Sequence, residues 1–279
     1  MKIGMNLLLW TAAATKEHFG LIEDIKRWGF DGVEVPMFAP DCSPWHALKG
    51  LLSDEGMGST VVCILPEGTS MIMGDVATQH SAIDFLKACV DSAAELGAET
   101  LAGPIFHPVG ELIGRGPNVD ERERFVENIH KIGEHAKGSG VNISVEPLNR
   151  FETFFLNCQE DAASILDEVN LPNVGILYDT FHSNIEEKCI GDAIRRGGKH
   201  INHVHISAND RATPGEDHVR WEENFAALKG IGYDGWLTIE AFGAWLPEIA
   251  GATCIWRSMA PSEEHLATEG LKFIKKSWG

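Results

Sequence analysis

Short strand-like runs and longer helix-like runs alternate along this 279-residue chain, eight of each, and no other feature limits the possible folds as sharply. Lys2–Trp10 reads as a first strand, and Thr15 as the cap of a helix reaching about Trp28. Gly32–Val35 is a second strand stopped by Pro36, with Glu34 near its end, and Ser43-Pro44 opens a helix to about Glu55. Ser59–Leu65 is a third strand. After a loop rich in glycine and methionine, the helix Gln79–Leu96 carries Ile83, Leu86, Val90 and Ala94 on one face. Thr100–Gly103 is strand four, and its loop Pro104–Asn118 leads to a helix, Asp120–Lys137, closed by Gly138 and Gly140. Strand five stops at Glu146-Pro147. There follow helix Cys158–Val169, strand Val174–Tyr178, helix Ile185–Arg196, strand Ile201–Ile206 and helix Trp221–Lys229. Strand Trp236–Glu240, a long loop and helix Ser262–Lys275 complete the series.

Such a series makes either an open doubly wound sheet or a closed barrel. The open sheet normally places a glycine-rich phosphate loop after an early strand, and this chain has none. The expected fold is therefore α/β, a single (β/α)8 TIM barrel with residues 1–279 as one domain. At 44% hydrophobic residues the chain can fill such a core.

Charge and cysteine usage narrow the partners. The 23 Lys and Arg face 41 Asp and Glu, a formal charge of −18 that repels phosphate backbones and anionic lipid. Neither nucleic acid nor a membrane is expected as a partner. The six cysteines are scattered without a Cys-x-x-Cys pair, which reads as reduced thiols in a cytoplasmic enzyme. No apolar run reaches the roughly 18 residues of a membrane helix. Lys2 with Ile3–Trp10 and Thr11-Ala12-Ala13-Ala14 loosely imitates a signal peptide. Gly4, Asn6 and Thr15-Lys16-Glu17 suit a strand and a helix start better.

The carboxyl ends of barrel strands point into the active site. Strand five ends at Glu146, strand six at Asp179, strand seven at His205 and strand eight at Glu240. Taken singly, a strand-end carboxylate is usually a helix cap or an ion-pair partner, and a strand histidine a satisfied core group. Four consecutive strand ends with ligand-type side chains point instead to one divalent metal. Three carboxylates and an imidazole suit manganese, cobalt or magnesium better than a structural zinc. His203 shares a face of strand seven with His205 and is expected one layer deeper, hydrogen-bonded in the core. His130 and His135 are five apart on a helix, not the four of a helical metal pair, and are expected to be solvated.

Glu152, His182 and Arg211 fall on loops five, six and seven, where they could hydrogen-bond a polyhydroxy ligand; each could equally be an ordinary loop residue. Trp10, Phe106, Phe242 and Trp245 are candidates for an apolar wall, although Trp10 and Phe242 could also belong to the barrel core.

The stretches Val145-Glu146-Pro147-Leu148-Asn149-Arg150-Phe151-Glu152, Asp179-Thr180-Phe181-His182 and His203-Val204-His205 resemble those of the ketose 3-epimerases within the xylose-isomerase-like barrels. Gly232-Tyr233-Asp234-Gly235 and Ile239-Glu240-Ala241-Phe242 are similar as well, and the resemblance spans essentially the whole chain. It implies Glu146, Asp179, His205 and Glu240 as ligands of one divalent metal, Mn(II) first and Co(II) or Mg(II) next. It also implies Glu146 and Glu240 as the catalytic acid/base pair, and Glu152, His182 and Arg211 as holders of the ketose's first hydroxyls and carbonyl. Loop four departs from the pattern: His107-Pro108 stands where known epimerases often have Trp-Pro, which makes His107 a further candidate for substrate binding.

The implied reaction is epimerisation of a free ketose at its third carbon, by proton abstraction and return through an enediolate. The implied assembly is a homodimer or homotetramer. An aldose–ketose isomerase is the nearest alternative, and a metal-dependent lyase on a 3-oxo-sugar or 3-oxo-glycoside is another. A DNA-repair endonuclease would want a basic face and more ligands. A non-catalytic sugar-binding protein would not need paired strand-end glutamates.

Overall fold

Valine, isoleucine and leucine in short runs build the strands, and in the computed structural model, which describes Met1–Gly279, these strands close on one another in sequence order. They are β1 (Lys2–Asn6), β2 (Gly32–Pro36), β3 (Gly58–Val62), β4 (Thr100–Gly103), β5 (Asn142–Val145), β6 (Val174–Asp179), β7 (Ile201–Ile206) and β8 (Trp236–Ile239). All neighbours are parallel, and β8 pairs back onto β1 through Ile3–Leu237 and Met5–Ile239. The result is the closed eight-stranded α/β barrel that the alternation predicts.

Around it lie α1 (Phe19–Trp28), α2 (Trp45–Asp54), α3 (Val76–Leu96), α4 (Val119–Ala136), α5 (Gln159–Val169), α6 (Thr180–Glu186), α7 (Ile190–Gly197), α8 (Trp221–Gly230), α9 (Pro247–Ala252) and α10 (Glu263–Trp278). None is long and apolar enough to cross a membrane. Four of them, α3, α4, α6 and α10, start on a side chain that accepts a free N–H. Asp75 accepts from Thr78 N–H at 2.9 Å, and Asn118 and Glu121 form a reciprocal capping box.

Four elements differ from the sequence reading. The first strand stops at Asn6 rather than Trp10, because the Asn6 side chain accepts the N–H of Leu8 at 2.8 Å and turns Leu7–Leu9 into a 3-10 helix. The third strand is Gly58–Val62, shorter than Ser59–Leu65. The expected helix Ile185–Arg196 is two helices. Asp179 accepts from Phe181 N–H at 2.6 Å and starts α6 at once, and extended backbone at Glu187 separates α6 from α7. His182 therefore sits on a helix and not on a loop. The loop after β8 contains α9, which the sequence reading lacked.

Two glycine features set the barrel's dimensions. At its amino end the Trp236 indole takes the space that Gly4, Gly32 and Gly58 leave open: a Cβ on Gly32 would lie 2.5 Å from the ring and one on Gly58 2.7 Å. At the other end Gly103 has φ +134°, and a Cβ there would fall 2.0 Å from the Cys63 carbonyl oxygen. The Gly103 carbonyl in turn accepts the N–H of Glu146 at 3.0 Å. Gly103→Ala is expected to cost about 2 kcal/mol or more, a fall of roughly 4–8 °C in thermal midpoint. Thermal unfolding followed by circular dichroism checks it; an unchanged midpoint contradicts the close approach.

Candidate active site

Parallel strands in register bring their last residues to one rim. Asp179 is the final residue of β6 and pairs with His205 of β7. Glu146 and Glu240 each follow directly on β5 and β8, and the Glu240 N–H donates to the Ile206 carbonyl at 3.2 Å. The four side chains predicted to meet do so: one ligand atom from each of Glu146, Asp179, His205 and Glu240 lies within 4.8 Å of the others, and all four residues are buried. His205 Nδ1 is 3.3 Å from Glu240 Oε1, 3.9 Å from Asp179 Oδ2 and 4.0 Å from Glu146 Oε1.

The electrostatics show a site short of positive charge. Burial raises the Glu146 carboxyl well above its ordinary range, and the charge of Glu240 adds to this. Burial likewise pushes Asp179 up to about 6, against the pull of Arg211. Glu240 is held below its ordinary value, because His205 and Arg211 together outweigh its burial. For His205, burial favours the neutral ring, but the carboxylates of Glu34 and Glu240 overcome it and raise the imidazole well above 6.5. Three carboxylates thus share one guanidinium and one imidazole. The buried Nδ1 of His205 meets no hydrogen-bond partner of acceptable geometry. An unpartnered nitrogen facing three crowded carboxylate oxygens fits a divalent cation.

Arg211 is the local cation. Its backbone is left-handed, φ 64°, an uncommon conformation for an arginine. Nη1 donates to Asp179 Oδ2 at 3.0 Å, Glu240 Oε2 at 2.7 Å and Ser207 Oγ at 3.0 Å. The guanidinium lies 3.8 Å from the Phe181 ring centre and 5.1 Å from that of Phe242. The main-chain N–H of Asn149 donates to His182 Nδ1 at 3.0 Å, Arg211 Nη2 lies 3.0 Å from His182 Nε2, and Nε2 is 3.7 Å from Glu146 Oε1. Burial and the neighbouring Arg211 keep this imidazole neutral, well below 6.5. Asn149 Nδ2 also donates to Glu152 Oε1 at 2.7 Å, which ties loop five into the same cluster.

These groups floor a cavity of about 190 Å³. Glu146, Glu152, His182, Arg211 and Glu240 supply the polar lining; Phe38, Val62, Ile64, Leu148, Phe181, Phe242 and Ile249 are among the apolar walls. Of the four aromatic candidates only Phe242 lines it. Phe106 packs in the core against Phe125 and Phe155, Trp10 lies against Trp28, and Trp245 is partly exposed and outside the lining. His107 is likewise outside it. Its Nδ1 is 3.1 Å from Ser70 Oγ, and its ring packs edge-on to Phe154. His203 is one layer deeper, as its alternation with His205 predicts, with Nε2 2.7 Å from Glu34. His135 pairs with Asp91 on the surface.

Comparison with known proteins gives the same barrel and a family. Residues 22–277 match the family model described as a xylose isomerase-like TIM barrel. A Synechocystis protein described as a "Probable ketose 3-epimerase" is 35% identical over 278 residues, covering 100% of this chain and 97% of that one. The chain belongs to the ketose 3-epimerase family of these barrels. It is accordingly an enzyme of the isomerase class. A ketose 3-epimerase from Arthrobacter globiformis is 30% identical, covering 99% of this chain and 96% of its own. The D-allulose 3-epimerase from a Methylomonas species, solved in complex with D-allulose, superposes with a TM-score of 0.94 at 28% identity. That match covers 99% of this chain and 97% of that one.

Proposed function

We propose that this family member epimerises a free ketose at its third carbon, with Glu146 and Glu240 moving the proton and one divalent cation held by Glu146, Asp179, His205 and Glu240. The observation that carries the reading is the pair of buried strand-end carboxyls, Glu146 and Glu240, that face one cavity together. Homologues that act on ketoses support the substrate class. The cavity's one cationic side chain, Arg211, already donates to two carboxylates, which favours an unphosphorylated sugar.

A cation bound here would act as a Lewis acid on the sugar's oxygens, making the third-carbon proton acidic enough to leave near neutral pH. One of Glu146 and Glu240 accepts that proton from one face of the sugar, and the other returns one to the opposite face. Working in the opposite direction, the two exchange roles. Glu152 and His182 offer hydrogen bonds to hydroxyls at the reacting end, and Arg211 stabilises negative charge as it develops. The apolar walls exclude water from the planar intermediate. His107, behind the lining, influences the substrate through the packing of loop four and not by touching it.

Incubation of the protein and Mn(II) with ketohexoses in deuterated water is expected to place deuterium at the third carbon, read by NMR. Label at the first carbon would establish the aldose–ketose isomerase instead, and absence of any exchange would remove the epimerase reading.

A further inference from the structure

Below the rim, the barrel interior holds a second carboxylate, and its partners differ in kind from those above. Glu34 on β2 is fully buried and uses both oxygens. Oε1 accepts from Asn6 Nδ2 at 2.9 Å and lies 2.7 Å from His205 Nε2. Oε2 accepts from Thr60 Oγ1 at 2.9 Å and lies 2.7 Å from His203 Nε2. The four partners stand on β1, β3 and β7, so one side chain gathers three walls of the barrel around a point beneath the candidate cation site.

We propose that Glu34 is the positioning residue of that site, holding the proton of His205 on Nε2 and so presenting Nδ1 to the cation. This rests on the reading that the rim cluster binds a cation. An imidazole can offer a metal either nitrogen, and the hydrogen bond made by the other nitrogen decides which. Here Glu34, an acceptor only, fixes Nε2 as donor, and Nδ1 is the nitrogen that faces Glu146, Asp179 and Glu240. The second bond, to His203, keeps the carboxylate itself from rotating: with each oxygen committed to an imidazole and a neutral donor, one orientation satisfies all four partners. The His203 ring, 5.3 Å from that of His205 and at 75° to it, is thereby a brace and not a ligand. The same three residues could themselves be mistaken for a metal site. Both Nε2 atoms sit at hydrogen-bond distance from the carboxylate, which places protons and no ion between them.

The test uses the full chain, stripped of metal, and Mn(II) alone as probe, with free Mn(II) read by electron paramagnetic resonance. The unaltered protein is expected to bind one Mn(II) per chain. Glu34→Gln is expected to weaken that binding by about 10- to 100-fold, and His203→Gln, which leaves the Glu34–His205 bond in place, by much less. Equal affinity in Glu34→Gln and the unaltered protein would overturn the positioning role. Two Mn(II) per chain would overturn it as well, by making the lower cluster a site of its own. No binding by the unaltered protein would instead refute the cation reading on which the proposal stands. A second measurement is independent of whether the variants fold. In histidine-15N-labelled unaltered protein, Mg(II) should leave the His205 Nε2 proton in place and shift Nδ1; loss of the Nε2 proton overturns the proposal.

Discussion

Glu146→Gln and Glu240→Gln are each expected to leave a folded barrel whose turnover is lower by about 10² or more, the ordinary contribution of a positioned acid or base. The two substitutions should differ in their effect on the fold. The Glu146 carboxyl accepts no hydrogen bond from the protein; the imidazoles of His182 and His205 lie 3.7 Å and 4.0 Å from it. Its carboxyl is raised by burial and by Glu240, so in the metal-free protein a neutral amide of the same shape removes a repulsion and should leave the thermal midpoint unchanged or higher. Glu240 accepts from Arg211 at 2.7 Å, and its conversion to an amide weakens a charged hydrogen bond worth about 1.5–3 kcal/mol. That midpoint should fall. Catalysis should divide differently again: if the two carboxyls serve opposite faces of the sugar, each variant stops deuterium exchange from one epimer more than from the other. Steady-state rates and exchange from both epimers check this. Near-normal turnover in both variants would sink the acid/base assignment.

The barrel and its ring of strand-end carboxylates and imidazole are legible in the sequence because both follow from local rules. Alternating runs dictate parallel strands, and parallel strands in sequence order put Glu146, Asp179, His205 and Glu240 on one rim whatever the loops do. What escaped the sequence depends on side chains reaching across the barrel or along the chain by one or two residues. Glu34 is far from His203 and His205 in sequence, and only closure brings it against both. A usable signal was present: an acidic residue inside the apolar run Gly32–Pro36, on a strand with no solvent-facing side. The helix at Thr180 was hidden because Asp179 is at once a strand end and a helix cap, which the hydrophobic period alone does not resolve. Of the aromatic wall only Phe242 lines the cavity, for a similar reason. Phe106 follows directly on strand four's exit, yet the core formed with Phe125 and Phe155 claims its ring, whereas Phe181, adjacent to His182, stacks on Arg211.

Removal of divalent cations should have the largest effect of all: chelation is expected to abolish turnover, and Mn(II) or Co(II) to restore it. The stability of the stripped protein provides a second reading. Asp179, raised from 3.8 to about 6 chiefly by burial, holds a proton in the folded state that it has lost in the unfolded one at any pH between those values. Its own contribution to stability therefore falls as pH rises from 3.8 to about 6 and stays at its lowest above that. Glu146, raised by burial and by Glu240, acts in the same direction. A cation among these oxygens reverses the penalty, so Mn(II) should raise the thermal midpoint at pH 7, by about 2.7 kcal/mol of stabilisation at 100 times its dissociation constant. The increment should shrink towards pH 5, where protons compete for the same carboxylates. Thermal melts at both pH values, with and without Mn(II), measure this directly. A midpoint indifferent to Mn(II) at pH 7, together with full activity in metal-free protein, would rule out a cation at the four strand ends.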